Sequence, residues 1–225
     1  MCYQLIFEAL DRVDDDARRK PETQDGQPSY QAQLRTDTWG LVYRSDDEQF
    51  QNELYDWLCS RGQGHQLLDI NSPFVLDYLK RKAVESLGHA ELLWQWYARR
   101  EDYFSAAQVL YRLVRGEFDL TLEQRLEYLS RARGFCSSQA PAGTRQRMTD
   151  LSHSIQEELD VAVIQDELVK RIRDDPRISE NKKETLVAGI NRQLIGLTEV
   201  SFTPLDLKLM AGADTWWPIA LQQLC

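Results

Sequence analysis

The stretch from Glu91 to Arg133, ELLWQWYARREDYFSAAQVLYRLVRGEFDLTLEQRLEYLSRAR, constrains the fold most. It reads as short helices in a row, each apolar along one face and joined by tight polar breaks. Tyr103, Ala106, Ala107, Leu110, Leu113 and Val114 fall at the i, i+3, i+4, i+7 spacing of a buried helical stripe. Leu122, Leu126 and Leu129 repeat the pattern one helix later. Such helices cannot hide their apolar faces alone and must stack on neighbours, which is the logic of a helical solenoid. Nothing in the stretch has the pattern of a catalytic motif, so it argues for a scaffold.

Helix punctuation continues on both sides. An amphipathic helix is expected near the start, with Leu5, Ile6, Ala9 and Val13 inward. Residues 20–38 are polar, with Pro21, Gly26 and Pro28, and predict a flexible loop. Trp39, Leu41 and Tyr43 alternate as a strand would, but no partner strand is available, so the segment reads as loop or helix. Ser45-Asp46-Asp47-Glu48 predicts a capping box opening a helix with Phe50, Leu54, Trp57 and Leu58 inward, ended by Gly62 and Gly64. Ser72-Pro73 starts the next helix, which buries Phe74, Val75, Tyr78, Leu79 and Ala83 and breaks at Gly88. Gly116 ends the Ala-Ala helix, and Thr121 with Gln124 forms a further capping box. A second loop spans residues 137–143.

From Thr144 to Asp175 there is no Gly or Pro, which predicts one helix on the order of 45 Å long. Met148, Leu151, Ile155, Leu159 and Ala162 share a face, and Ile164, Leu168 and Ile172 extend it to Pro176. A helix from Glu180 to about Leu197 follows, and Thr203-Pro204 opens another, with Phe202 and Leu207 as a hydrophobic staple. The fold class is therefore all-α: an irregular α-helical solenoid of stacked antiparallel helices. Residues 1–225 form one segment of it, and the apolar helices at both ends are expected to mark a fragment of a longer chain.

The segments from DDEQFQNELYDWLCSRGQGHQLLDINSPFVLDYLKRKA to LLWQWYARREDYFSAAQVLYRL and LTLEQRLEYLSRA, with LDVAVIQDELVKRI beyond them, carry a family resemblance. Together they resemble the C-terminal helical region of the nucleoporin 155/170 family, large scaffold proteins of the inner ring of the nuclear pore. The resemblance covers roughly residues 44–172 and lies in the order and length of the helices. It implies a structural role at the nuclear pore complex of the nuclear envelope, in support of nucleocytoplasmic transport. Its implied partners are other nucleoporins, chiefly flexible linkers that dock on the solenoid. No docking residue follows from it. The other readings are an α-solenoid subunit of a vesicle coat or trafficking complex and, third, a Mg-dependent prenyl-transferring enzyme.

That enzyme would need its metal at Asp11, Asp14, Asp15 and Asp16, because hard cations take several carboxylate oxygens. The spacing is DxxDDD rather than DDxxD, and the second motif would be Asp174-Asp175 beside a proline. A solvated helix face is the expectation, with no metal and no cofactor. Cys2, Cys59, Cys136 and Cys225 lie far apart, as do His65, His89 and His153, so ligand spacing is absent and free thiols in a reducing compartment are expected. Cys59 and His89 could meet in space, although a free structural cysteine is the expectation. No catalytic residue is assigned.

The net charge of −9 is uneven: residues 1–70 carry −7, residues 71–150 carry +2 and residues 151–225 carry −4. The basic residues of the middle third, Lys80-Arg81-Lys82 and the arginines from Arg99 to Arg147, are interleaved with Glu and read as a solvated face rather than a phosphate-binding stripe. No nucleic-acid partner is expected. No apolar run reaches the length of a membrane span, so no direct membrane contact is expected from this segment, read as soluble and intracellular. Adjacent Trp216 and Trp217 cannot both face one core, because helix neighbours point about 100° apart. They are the candidates for partner contact, tryptophan being enriched at binding hot spots.

Overall fold

The computed structural model describes residues 3–22, 27–138 and 143–192. Within them the chain is helical: α1 (Gln4–Arg19), α2 (Tyr30–Tyr43), α3 (Glu48–Ser60), a 3-10 turn (Gly64–Leu68), α4 (Phe74–Lys82), α5 (Leu87–Arg99), α6 (Tyr103–Arg115), α7 (Leu122–Cys136), α8 (Arg145–Asp174) and α9 (Glu180–Arg192). No strand occurs among the described residues, where a lone antiparallel bridge joins Glu22 and Pro28. The helix expected from Glu180 is present to Arg192; residues 193–197 of it and the helix expected after Thr203-Pro204, with Phe202 and Leu207, lie outside the described residues. Two compact units divide the chain, one of residues 1–120 and 124–159, the other of residues 121–123 and 160–225.

In the first unit successive helices pack on one another. Helix α1 lies on α2, α3 on α4, α4 on α5 and α5 on α6, and the 3-10 turn wedges between α3 and α5. Aromatic rings join the first three helices: Phe7 stacks on Trp57 at 5.2 Å and on Phe50 at 6.1 Å, Tyr3 meets Phe50 edge-on at 5.1 Å, and Trp39 lies 6.3 Å from Trp57. Beneath them Leu54, Tyr55, Leu58, Val75 and Leu79 are fully buried. Farther along, Phe135 of α7 packs on Trp94 of α5 and Tyr103 of α6. Tyr111 of α6 donates to Glu158 of α8 at 2.9 Å.

The caps explain the tight links. After α3 the Gln63 N–H donates to the Leu58 carbonyl (2.9 Å) and the Gly62 N–H to Cys59 (3.0 Å), the paired bonds of a Schellman stop. Gly62 sits at φ 71°, and a Cβ on Gly64 would come within 3.0 Å of Leu92 Cδ1 and 3.2 Å of Cys59 Sγ. Helix α5 stops the same way, through Asp102 N–H to Tyr97 (3.0 Å) and Glu101 N–H to Ala98 (3.1 Å). Here the left-handed position belongs to Glu101, at φ 60°. Asp102 then caps α6 by accepting from the Ser105 N–H at 3.1 Å.

Several expectations change. The loop over residues 20–38 gives way to helix from Tyr30, because Ser29 Oγ caps α2 by accepting from the Ala32 N–H (3.1 Å), and Trp39 to Tyr43 complete that helix. At α3 the cap is Asp47, accepting from Phe50 N–H at 3.1 Å, while Ser45 Oγ accepts from Asp47 N–H at 3.3 Å. Gly88 lies in the first turn of α5, and the break falls at residues 83–86. In α1 the buried residues are Phe7, Leu10, Asp14 and Ala17; Leu5 (77% exposed), Ile6 and Ala9 point outward. In α7 Leu122 and Leu129 of the expected stripe are buried, but Leu126 is half-buried and its neighbour Arg125 is 4% exposed. In the second unit Ala162 and Val169 of α8 are buried with Ile190 of α9, whereas Ile164 and Leu168 are exposed. Lys183 Nζ there donates to the Arg173 carbonyl at 2.8 Å.

The aspartate-rich run of α1 is divided by the fold. Asp15 and Asp16 pair with Arg18 and Arg19 on the surface, and Asp11 pairs with Arg61. Asp14 is buried and accepts from Trp39 Nε1 (2.8 Å) and Arg35 Nε (2.7 Å), fixing α1 to α2. Asp14→Ala strands a buried indole N–H and is expected to cost about 2–3 kcal/mol in urea unfolding, whereas Asp15→Asn stays within about 0.5 kcal/mol. Glu101→Gly relieves a left-handed non-glycine residue and is expected to raise stability by about 0.5–1 kcal/mol in the same assay.

Candidate partner-binding surface

Helices α4, α5 and α6 leave a furrow of about 530 Å³. Ala90, Leu93 and Tyr97 of α5 run along its floor beside Val109 and Leu113 of α6. Residues 90 to 97 span about 10 Å of helix, enough to seat three or four residues of an extended peptide. Val84, 80% exposed, stands on one lip and Phe118 closes the end near Leu113. Lys80 and Arg112 supply the charge of the lining, which contains no carboxylate. Ser105 and Gln108 add uncharged polar edges. The furrow opens where Ala83 and Ala90 are small beside larger neighbours.

Much of the remaining positive charge is engaged. Lys82 pairs with Asp56, Arg99 with Asp69, Arg115 with Glu158 and Arg131 with Glu127, while Arg81 donates to Asn52. Arg100 lies 3.8 Å over the Trp96 ring and Arg131 5.2 Å over Trp94. Lys82, Arg81, Arg115 and Arg131, through Asp56, Asn52, Glu158 and Trp94, thus become bridges between helices. A second hollow, about 570 Å³, lies between the end of α7 and the start of α8, with Arg133, Arg145, His153 and Ser152 in its wall.

One polar cluster brings reactive types together. The Tyr78 hydroxyl, buried, donates to Asp56 Oδ1 at 2.8 Å and lies 3.3 Å from His89 Nε2 and 4.0 Å from Cys59 Sγ. The cysteine and histidine paired in the sequence reading therefore do share a site, with a tyrosine between them. Burial pushes the Cys59 thiol up, and burial together with Lys82 holds the His89 imidazole below its usual range. Tyr78 is also raised, by burial and by its bond to Asp56. A thiolate–imidazolium pair needs the opposite shifts on both partners, so the cluster is a neutral clasp joining α3, α4 and α5.

The other candidates are dispersed. Among the described residues no group of three or more His, Cys, Asp or Glu is placed to hold a metal ion. Asp175 is held down at about 2 by Arg177, whose side chain and backbone N–H both donate to it. Trp216 and Trp217 lie outside the described residues. No described helix is long and apolar enough to cross a membrane. The furrow was not legible as a site: Val84 is a lone apolar residue in the turn after α4, marked only by its exposure, and Phe118 is half-buried in a break.

Stacked helices knitted by aromatic contacts and ion pairs, with an open furrow and a buried polar clasp, define an α-solenoid segment. The family model described as non-repetitive/WGA-negative nucleoporin C-terminal matches residues 1–200. Nucleoporin NUP170 of Saccharomyces cerevisiae is 36% identical over 205 residues, covering 89% of this chain and 14% of that protein. The probable nucleoporin C890.06 of Schizosaccharomyces pombe is 38% identical over 199 residues, covering 88% and 14%. The solved Chaetomium thermophilum Nup170 CTD–Nup145N complex is similar with a TM-score of 0.75 and 38% identity, over 84% of this chain and 36% of that one. The chain belongs to this C-terminal nucleoporin family. It spans about one-seventh of the length of these curated relatives.

The neutral clasp has a chemical signature. Cys59 in the folded chain is expected to react with iodoacetamide several-fold more slowly than free cysteine at pH 7.5. Its rate should rise with pH and reach the free value in denaturant, as followed by site-resolved mass spectrometry. A rate above free cysteine that levels off below pH 7 would instead reveal an activated thiolate.

Proposed function

We propose that this chain is part of the structural framework of the nuclear pore inner ring, at the nuclear envelope, and that it holds a flexible linker nucleoporin without turning over any substrate. The observation that carries the reading is its likeness in fold and sequence to the Chaetomium thermophilum Nup170 C-terminal domain, solved in complex with Nup145N. The local chemistry agrees in kind. A scaffold needs helices locked to their neighbours, and here aromatic ladders, Schellman stops and interhelical ion pairs provide that locking. Among the described residues, the cysteine and histidine that meet at Tyr78 are shifted toward their neutral forms by burial.

Solenoids bind partners in the grooves between their helices, where short segments lay down side chains at regular intervals. Affinity then rests on a few apolar anchors, with charge acting mainly on rate and register. Calorimetry of the 225-residue chain with Nup145N is expected to give one-to-one binding with Kd on the order of 1 µM. Raising salt from about 0.1 to 0.5 M, where the Debye length falls to roughly half, should weaken it by less than about tenfold. Heat-free titration at about 100 µM of each component sinks this reading.

A further inference from the structure

We propose that the furrow of α4, α5 and α6 is where the linker seats an aliphatic or aromatic side chain flanked by carboxylates. This inference rests on the reading of the chain as a linker-binding segment, and adds to it a place and a peptide chemistry. The furrow has an apolar floor, Ala90, Leu93 and Leu113, wide enough for one large side chain. At its edge Val84 is 80% exposed, an apolar side chain that gains by being covered. Charge sets the occupant. Lys80 and Arg112 are exposed on the walls, and no carboxylate lines the furrow of a chain whose net charge is −9.

The neighbouring cations Arg81, Lys82 and Arg115 are bound to Asn52, Asp56 and Glu158 across helix interfaces. Lys80 and Arg112 instead flank the furrow from opposite sides, one on α4 and one on α6. A peptide lying along the α5–α6 direction would place acidic residues before and after its anchor within reach of both. Ser105 and Gln108 would meet its backbone. A nucleic acid fits less well, because a phosphate backbone needs a continuous cationic track, and this floor is apolar.

The test compares Nup145N binding to the wild-type chain and three variants by calorimetry, with circular dichroism as the check on folding. Val84→Glu puts a carboxylate on the exposed lip and is expected to weaken binding at least about tenfold. The double variant Lys80→Glu/Arg112→Glu alters exposed side chains only, and should weaken it about tenfold at low salt with a smaller deficit at high salt. Leu41→Glu, an exposed apolar position on α2, should stay within about twofold. Wild-type binding with both furrow variants within twofold would overturn the placement and leave linker binding intact. Equal losses in Leu41→Glu, or displacement of Nup145N by single-stranded RNA, would also overturn it. Absence of wild-type binding would remove the functional reading on which the placement rests.

Discussion

Helix α5 is the constraint on which the rest of the first unit depends. Its sequence is apolar nearly all round, and such a helix must be walled in on most sides. Tyr78 of α4 meets His89, Phe135 of α7 meets Trp94, and Tyr128 of α7 donates to Glu91, while Leu92 lies against Gly64 of the 3-10 turn. On the α6 side Ala106 and Ala107, both fully buried, are small enough to let the two helix backbones approach. Each buried large side chain contributes about 1.5–3 kcal/mol. Removing any neighbour of α5 would expose several at once, so α4 to α7 stand or fall together. Ala90 and Leu93, buried by these neighbours, and half-buried Tyr97 line the furrow from the α5 side.

Helix existence from α3 to α8 was legible because caps and breakers are local chemistry. The Gly62 stop, the Gly116 end and the 30-residue helix between Thr144 and Pro176 need no knowledge of neighbours. Facing was harder wherever a helix has apolar residues on two sides. In α1 both Leu5–Ile6–Ala9 and Phe7–Leu10 satisfy helical spacing, and the choice is made by Phe50 and Trp57, more than forty residues away. Helix α2 was missed because it buries one side chain, Trp39, and its cap, Ser29, sits within a polar run that reads as loop. In α7 a buried arginine took the position a stripe of leucines suggested for Leu126.

The surface features followed a similar rule. Four aspartates within six residues look like one motif, yet helical geometry sends Asp14 inward to Trp39 and leaves Asp15 and Asp16 in water. Cys59 and His89 do come together around Tyr78, and what decides their chemistry is burial, which raises the thiol and, with Lys82, lowers the imidazole, in keeping with a structural cysteine. The furrow draws on three helices and a turn. None of its residues stands out in sequence, because a groove is defined by where side chains are small or absent.

The two halves of this arrangement depend on each other. A linker that arrives without structure must give up its own chain entropy on binding. The surface that receives it adds least to that cost when it is already in its bound shape. The walls of the furrow have little freedom to move. Tyr78, midway along α4, is clasped to α3 and α5, and Lys82 at the end of the helix is tied to Asp56. Helix α6 is fixed at its start by the Asp102 cap and along its length by Glu158. The carboxylates that hold Lys82 and Arg115 therefore do more than stabilise the stack: by occupying those cations they leave Lys80 and Arg112 as the charges that an incoming peptide meets at the furrow. With a linker seated as proposed, the ion pairs that lock the helices would also narrow which linker the furrow accepts.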